Sequence, residues 1–459
     1  MYEEHRRPLL GAKGKSTFSK FRIESAGPWE ITVPHTVYPP REDTALLGRA
    51  LLRLSGRCGR AVEIGCGSGV LSILLASIGW SVTACDVNPF AVAAARGNVE
   101  KAGFADMVSI DEGGPGELGW ELQKEVDLVV WNLPYLDPPE YDEVSLEHIE
   151  EASMSDIPRG WSDKLLEIMD DKLIDPSCLV VLLHRTDPDS RSKPDSWIRS
   201  GWSCRQLDSM RLADERLEVL CYWRPGAGES AMVMAECEST MDEAKRLING
   251  GWQRVLSLSQ TSGRGRRGSS WRTQEGGLAC TWVLSGGTLE RHSPGLIQTS
   301  VGAAVSDALG CCVKWPNDLV TEDGRKLGGV LVEGNSEDEG IRVGIGLNKR
   351  DGVIDGTTVA GWGEFVGEKT AIEVFDILDP AISSLFEEHS LAPLVEEEEL
   401  VALSWKSLAR SLSTGVVLKS KGLPVRAVGL SSEGHLLTEF GGLVATIDDI
   451  NTLNWNPIT

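Results

Sequence analysis

At 459 residues the chain is too long for one ordinary hydrophobic core and suggests about two to four domains of roughly 100 to 200 residues each. Its composition, 41% hydrophobic and 25% charged, is globular, and no uninterrupted apolar run approaches the roughly 20 residues that cross a bilayer, which argues against a membrane span. A net charge of −23 argues against stable binding to nucleic-acid phosphates, since that affinity comes largely from clustered Lys and Arg.

The start, MYEEHRRPLLGAKGK, has no apolar core long enough for a secretory signal, so residues 1–20 read as an unstructured arm and the chain as cytoplasmic. Ten cysteines include no C-x-x-C pair, the one close couple being Cys311-Cys312. That spacing gives neither a zinc site nor a disulfide framework, and the thiols read as small buried hydrophobes. From Arg60 to about Arg224 strand-like runs alternate with helical ones, the α/β pattern. AVEIG, SVTACD, VDLVVWN, CLVVLLHR and LEVLCYWR are near-continuously apolar, as parallel strands covered on both faces must be. VLSILLASIG reads as a helix stopped by Gly79, and Asn88-Pro89 as an N-cap with proline at the first helical position.

AVEIG leads into Gly65-Cys-Gly67-Ser-Gly69 and then a helix, so a glycine-rich turn sits at the carboxyl end of a parallel strand, where open α/β sheets bind ligands. Taken alone such a turn serves packing as readily as a cofactor. The next strand ends in Asp86, where a carboxylate can accept hydrogen bonds from both ribose hydroxyls of an adenosine cofactor, or else cap the following helix. A further strand ends in Trp131-Asn132-Leu133-Pro134-Tyr135 at the same sheet edge.

With these residues in place, residues 21–225 resemble the Rossmann-like class I methyltransferases, and among them the glutamine-N5 methyltransferases of translation release factors. Those enzymes carry Asn-Pro-Pro-Tyr where this chain has Asn132-Leu133-Pro134-Tyr135, and an upstream segment similar to Val37-Tyr38-Pro39-Pro40-Arg41-Glu42-Asp43-Thr44. The resemblance implies S-adenosylmethionine held by Glu63, Gly65, Gly67, Gly69 and Asp86, with Asn132, Pro134 and Tyr135 at the reacting centre. An amide nitrogen is a poor nucleophile because its lone pair is delocalised. Asn132 and the Pro134 carbonyl can accept its two N–H hydrogens and aim that lone pair, while Tyr135 packs on the flat amide. Leu133 departs from the family pattern and leaves the acceptor open among protein glutamine, other protein nitrogens such as lysine, a nucleic-acid base, or no methyl transfer at all.

Residues 226–231 lie in a small, polar, breaker-rich stretch and read as a linker. Beyond it, the strand-like VLSLS precedes Gln260-Thr261-Ser262-Gly263-Arg264-Gly265-Arg266-Arg267-Gly268-Ser-Ser-Trp271. The glycines forbid a stable helix there, and amides with guanidinium groups can surround phosphate. An RNA-binding or disordered arginine-glycine tract is the bland alternative. Lys314-Trp315-Pro316-Asn317-Asp318 and then Arg325-Lys326-Leu327-Gly328-Gly329-Val330 follow. The tail from Gly415 reads as a few strands joined by tight turns, with a Ser-Glu-Gly hairpin signal.

Together these motifs resemble biotin-protein ligases over residues 232–459: a mixed α/β catalytic domain, 232–400, and a small SH3-like β-barrel, 401–459. Ser239-Thr240-Met241 is similar to the family's Ser-Thr-Asn, and Gly344-Ile-Gly346-Leu-Asn348 to its later strand. The resemblance implies that biotin and ATP condense to biotinyl-5'-adenylate, which a lysine of a biotin carboxyl carrier protein then attacks. It further implies that Ser239, Thr240 and Gln260 bind biotin and that Arg264, Arg266 and Lys326, with Gly263, Gly265, Gly268, Gly328 and Gly329, meet carboxylate and phosphate. Trp271 and Asn348 would flank adenine, with Lys314, Asn317 and Asp318 on the nucleotide and magnesium side. Lipoate ligases share that fold with a different glycine signature, and the DNA-binding helix-turn-helix of many bacterial relatives has no counterpart here. A bifunctional enzyme follows, with an active biotin ligase fused to a non-catalytic or a lysine- or nucleic-acid-directed methyltransferase domain as the alternative.

Overall fold

The computed structural model describes residues 7–8, 16–136, 155–170, 174–247, 251–334 and 340–457. The chain divides into two compact units, the first comprising Met1–Gly228 with His389–Pro393, the second Glu229–Glu388 with Leu394–Thr459.

In the first unit the apolar runs form a seven-stranded sheet: β1 (Arg60–Ile64), β2 (Ser81–Asp86), β3 (Val108–Glu112), β4 (Leu128–Asn132), β5 (Leu179–Asp187), β6 (Ser203–Leu212) and β7 (Glu215–Trp223), in the order β3-β2-β1-β4-β5-β7-β6. The first five pair in parallel, and β7 runs antiparallel to both neighbours. Packed with it are α1 (Glu42–Leu52), α2 (Val70–Ser77) and α3 (Pro89–Ala102), whose buried faces share one core with Val82, Leu128 and Val181. The Asn88 side chain caps α3 as its sequence foretells, accepting from the Phe90 amide at 3.0 Å. Strand order reverses between β1 and β4, so their carboxyl ends frame a crevice.

Two findings differ from the sequence reading. Most of the expected arm lies outside the described residues, but Thr17–Ile23 is a strand paired with Ala26–Val33, and Phe21 and Ile23 are buried. Ordered structure therefore begins before residue 21, because alternate side chains of that strand face the core. Residues 389–393 also pack in the first unit: Leu391 and Ala392 are buried in its core, and the Leu391 carbonyl accepts from the Ser55 amide at 2.8 Å.

The second unit is built on β8 (Met232–Met234), β9 (Gln253–Ser257), β10 (Leu278–Ser285), β11 (Cys312–Lys314), β12 (Asp318–Val320), β13 (Lys326–Glu333) and β14 (Gly340–Leu347), in the order β8-β9-β10-β14-β13-β12-β11. The buried faces of α4 (Pro294–Leu309) and α5 (Ala371–Phe386) share a core with Trp282 and Val343. After α6 (Glu397–Ser413) comes a strand-rich segment: β15 (Val416–Ser420), β16 (Leu423–Leu430), β17 (Leu436–Phe440), β18 (Leu443–Ile447) and β19 (Leu453–Pro457), ordered β18-β17-β16-β15-β19. The Ser-Glu-Gly turn closes β16 on β17, with the Gly434 amide donating to Ser431 at 2.9 Å.

All ten cysteines are free thiols, and seven are buried. Among the described residues no helix is long and apolar enough to cross a membrane.

Candidate active sites

At the carboxyl end of β1 the chain bends through Gly65, Gly67 and Gly69, with φ of 67°, 54° and 81°, a region L side chains rarely adopt. At Gly69 a Cβ would also press on Ala95 of α3 at 3.0 Å. Asp86, ending β2, accepts from the amides of Gly67 and Asn88, both at 2.9 Å, so its carboxylate faces the bend. Each oxygen keeps a lone pair for a further donor. Beneath the bend Glu63 is buried and accepts a short hydrogen bond from the Ser72 hydroxyl. Burial pushes its carboxyl up to about 8 and also raises that of Asp86.

Asn132 ends β4 at the same sheet edge. Its Nδ2 donates to Asp43 Oδ2 at 2.9 Å, whereas its Oδ1 is buried with no hydrogen-bond partner among the described residues. Such an orphaned acceptor costs about 1–3 kcal/mol, and a ligand's N–H can relieve it. The cavity there, about 190 Å³, is lined by Glu63, Gly65, Gly67, Asp86, Asn132 and Pro134 together with Trp131 and Trp161. Of the expected residues, Gly69 supports the bend from outside this wall, and Tyr135 is buried with Arg185 over its ring at 5.7 Å. Asp43 stood in the segment quoted for the resemblance, yet nothing in its spacing announced a contact 89 residues away.

In the second unit Gly263–Arg264 pairs with Ser270–Trp271, and a tight turn at Arg266–Gly268 closes the arginine loop. Side chains from this hairpin, β10, β13 and β14 surround a cavity of about 280 Å³. Ser239, Thr240, Gln260, Arg264, Gly265, Arg266, Trp271, Asn317, Asp318, Lys326 and Gly329 all lie in its wall. Gln260 Oε1 accepts from the Thr240 amide at 2.9 Å, and Thr240 Oγ1 accepts from Thr281 at 2.9 Å. Ser239 Oγ and Trp271 Nε1 are buried without partners among the described residues. A Cβ at Gly346 would run into the Trp271 indole, so that glycine makes room for the ring.

The cations are disposed differently from one another. Arg264 is forked between Asp242, at 2.6 Å, and Glu333, at 3.0 Å. Arg266 is half-buried with Nη1 3.4 Å from Asn317 Oδ1, and burial together with neighbouring Arg267 lowers its pKa. Arg267 pairs with Asp449 at 2.9 Å. Lys326 Nζ lies 2.6 Å from Asp318 and 5.9 Å from the Trp271 ring centroid. The expected direct role of Arg264 is therefore modified: two carboxylates already hold its guanidinium.

Five expected residues are not in this wall: Gly263, Gly268, Lys314, Gly328 and Asn348. Asn348 is buried and spends its amide on the Lys326 carbonyl, at 3.1 Å, and Lys314 ends β11. Gly263 and Gly328 serve close packing, since a Cβ at either would strike Gln260 or the Gly346 carbonyl. Ile450 and Asn451, from the C-terminal segment, line the cavity and were not foreseen. As for magnesium, Asp318 is engaged by Lys326, and among the described residues no trio of His, Cys, Asp or Glu is set to hold an ion. The protein donors alone do not fit a metal site.

Residues 248–349 match the family described as Biotin/lipoate A/B protein ligase, and residues 61–150 match a Methyltransferase domain. The chain is 35% identical over 128 residues to the Biotin--[acetyl-CoA-carboxylase] ligase of Paracoccus denitrificans, covering 25% of this chain and 53% of that protein. It is 35% identical over 97 residues to the Ribosomal RNA small subunit methyltransferase C of Alcanivorax borkumensis, covering 21% of this chain and 28% of that protein. It thus spans about half of the one relative and about a quarter of the other. Among solved structures, the biotin protein ligase of Aquifex aeolicus in complex with biotin and ATP is similar with a TM-score of 0.39 and 23% identity, over 50% of this chain and all of that one.

Proposed function

We propose that this chain, which joins a methyltransferase domain to a biotin/lipoate ligase domain, is a bifunctional enzyme. Its second unit biotinylates a lysine of a biotin carboxyl carrier protein by way of biotinyl-5'-adenylate. Its first unit methylates a protein nitrogen from S-adenosylmethionine, the glutamine of a translation release factor being the acceptor to which the Asn132–Tyr135 motif points. The observation that carries both readings is a residue of each cavity wall with a buried polar atom that has no partner among the described residues: Ser239 Oγ in one, Asn132 Oδ1 in the other.

In the ligase reaction a biotin carboxylate oxygen attacks the α-phosphorus of ATP and pyrophosphate leaves. The lysine amine then attacks the acyl carbon, AMP leaves with the bonding electrons, and the nitrogen loses its proton. Two anions must meet in the first step, so nearby cations lower the barrier. Arg266 and Lys326 serve this role, while Arg264, held by Asp242 and Glu333, keeps the loop in shape. Ser239, Thr240 and Gln260 form the polar end that reads the ureido ring, and Trp271 offers a flat face to adenine. Any magnesium is carried in by the phosphates, and no step above depends on it. The C-terminal strands, read as a small SH3-like barrel, place Ile450 and Asn451 at the cavity.

In the methyltransferase unit the bend at Gly65–Gly69 and the remaining lone pairs of Asp86 suit the adenosine of the methyl donor, which supplies an electrophilic methyl group when bound. Asn132 Oδ1 and the Pro134 carbonyl accept the acceptor's N–H groups and orient its lone pair. Leu133 occupies a fully buried position and contributes backbone there, so its exchange for proline leaves this geometry intact.

Mass spectrometry of a carrier domain and of release factors, each incubated with the full chain, ATP, biotin and S-adenosylmethionine, tests both halves. The expected products are a biotinylated lysine and a methylated glutamine. Titration with labelled S-adenosylmethionine, using Asn132→Ala as control, separates an active methyltransferase from a domain that binds the donor without transferring it. Binding with no transfer to any offered acceptor would overturn the first half of the proposal.

A further inference from the structure

We propose that Asp43 is a positioning residue for methyl transfer, holding the Asn132 amide in the one orientation that points its oxygen into the cavity. The inference rests on the methyltransferase reading above and adds to it a residue outside the Asn132–Tyr135 segment.

An asparagine amide is nearly symmetric in shape, and turning it by half a rotation exchanges an acceptor for a donor. With Nδ2 facing the cavity, Asn132 would oppose an incoming N–H group instead of accepting it. Its local backbone does not decide between the two orientations; the partner behind the amide does. That partner is Asp43, whose carboxylate offers acceptors, so the group 2.9 Å from its Oδ2 must be the Asn132 NH2.

Asp43 is itself fixed. It is 2% exposed in the first turn of α1. Its Oδ1 accepts from the Thr44 amide at 2.7 Å, and the Tyr38 hydroxyl lies 3.5 Å from Oδ2. An acid in a first helical turn also complements the helix dipole, and that alone would account for a carboxyl group there. It does not account for a carboxylate buried and aimed at a side chain 89 residues later, nor for the opposite end of that amide being buried with no partner among the described residues. A charge behind Nδ2 further polarises the amide and strengthens Oδ1 as an acceptor.

The test uses the full chain and four proteins: wild type, Asp43→Ala, Asn132→Ala and the double variant. Methyl transfer is measured at saturating donor, and donor affinity by calorimetry. The expected result is a tenfold to hundredfold fall in kcat for Asp43→Ala, donor affinity within about twofold of wild type, and no further fall when Asp43→Ala is added to Asn132→Ala. A purely structural role would instead lower kcat by the same factor in both backgrounds, and that outcome overturns the proposal, as does an unchanged kcat. A second readout needs no acceptor. In the chain labelled with 15N-asparagine, the side-chain NH2 signal that Asn132→Ala removes should shift in Asp43→Ala; an unmoved signal overturns the proposal. If the wild type methylates nothing offered, the methyltransferase reading fails, and this signal alone decides whether Asp43 orients Asn132.

Discussion

The two cavities differ most plainly in charge. Among the described residues the wall in the first unit holds Asp86 and a Glu63 whose carboxyl burial pushes up to about 8, with no Lys or Arg. The wall in the second holds Arg264, Arg266, Arg267 and Lys326, of which Arg264, Arg267 and Lys326 are paired with Asp242 and Glu333, with Asp449 and with Asp318. In the proposed reactions a sulfonium methyl donor is a cation at its reacting centre and an acyl-phosphate forms from two anions, which Asp86 on one side and Arg266 with Lys326 on the other suit in sign. Glycine-rich bends occur in both and distinguish neither. What separates the chemistries is which charged groups the bends bring together, and how those groups are held before any ligand arrives.

The largest effects should come from Lys326, paired with the wall carboxylate of Asp318, and from Arg266, whose guanidinium meets the Asn317 amide. Lys326→Ala is expected to slow adenylate formation by about a hundredfold, the scale for losing one preorganised charge, measured by ATP–pyrophosphate exchange. Arg266→Ala should weaken retention of the adenylate, seen as biotin appearing on bystander lysines. Normal acceptor biotinylation by either variant would break the assignment.

A smaller effect concerns acidity in the first unit. Folded Glu63 keeps its proton up to about pH 8, while the unfolded chain gives it up near the ordinary 4.5. The folded state therefore holds more protons across that window, and stability from this group is full below 4.5 and lost as pH rises through 8. The slope approaches about 1.4 kcal/mol per pH unit at most. Glu63→Gln should flatten the fall in thermal midpoint between pH 5 and pH 8. An unchanged slope would place the titration elsewhere.

The smallest effect is expected at Arg267 and Asp449, whose side chains are 52% and 36% exposed. An ion pair that open to water is screened and contributes little. Arg267→Ala should change biotinylation less than fivefold, and a loss like that of Lys326→Ala would mean that this arginine, too, meets the phosphates.

The sequence was most legible where burial is continuous. The strands named as β1, β2, β4, β5 and β7 carry mostly buried apolar runs because neighbours cover both faces. The two strands that escaped the sequence reading, β3 and β6, are the two edges of the same sheet. β3 alternates Val108 and Ile110 with exposed residues, and β6 carries Arg205, Gln206, Asp208 and Arg211, so neither shows an apolar run.

At the sites, local motifs announced which residues would gather but not how they would pair. The Gly65–Gly69 bend, Asp86 and Asn132 were readable because strand order alone carries them to one edge. The grip of Asp242 and Glu333 on Arg264, and of Asp43 on Asn132, spans 22, 69 and 89 residues and left no periodic trace. Nor does composition mark 389–393 as part of the first unit, since two small apolar side chains suffice to bury it.

The most direct measurement is a crossed assay on the full chain, in which Asp86→Ala and Lys326→Ala are each tested for S-adenosylmethionine affinity and for biotin transfer to a carrier lysine. The account predicts that Asp86→Ala loses donor affinity at least tenfold with biotin transfer unchanged, and that Lys326→Ala does the reverse. Loss of both activities in either variant, or of neither, would contradict it.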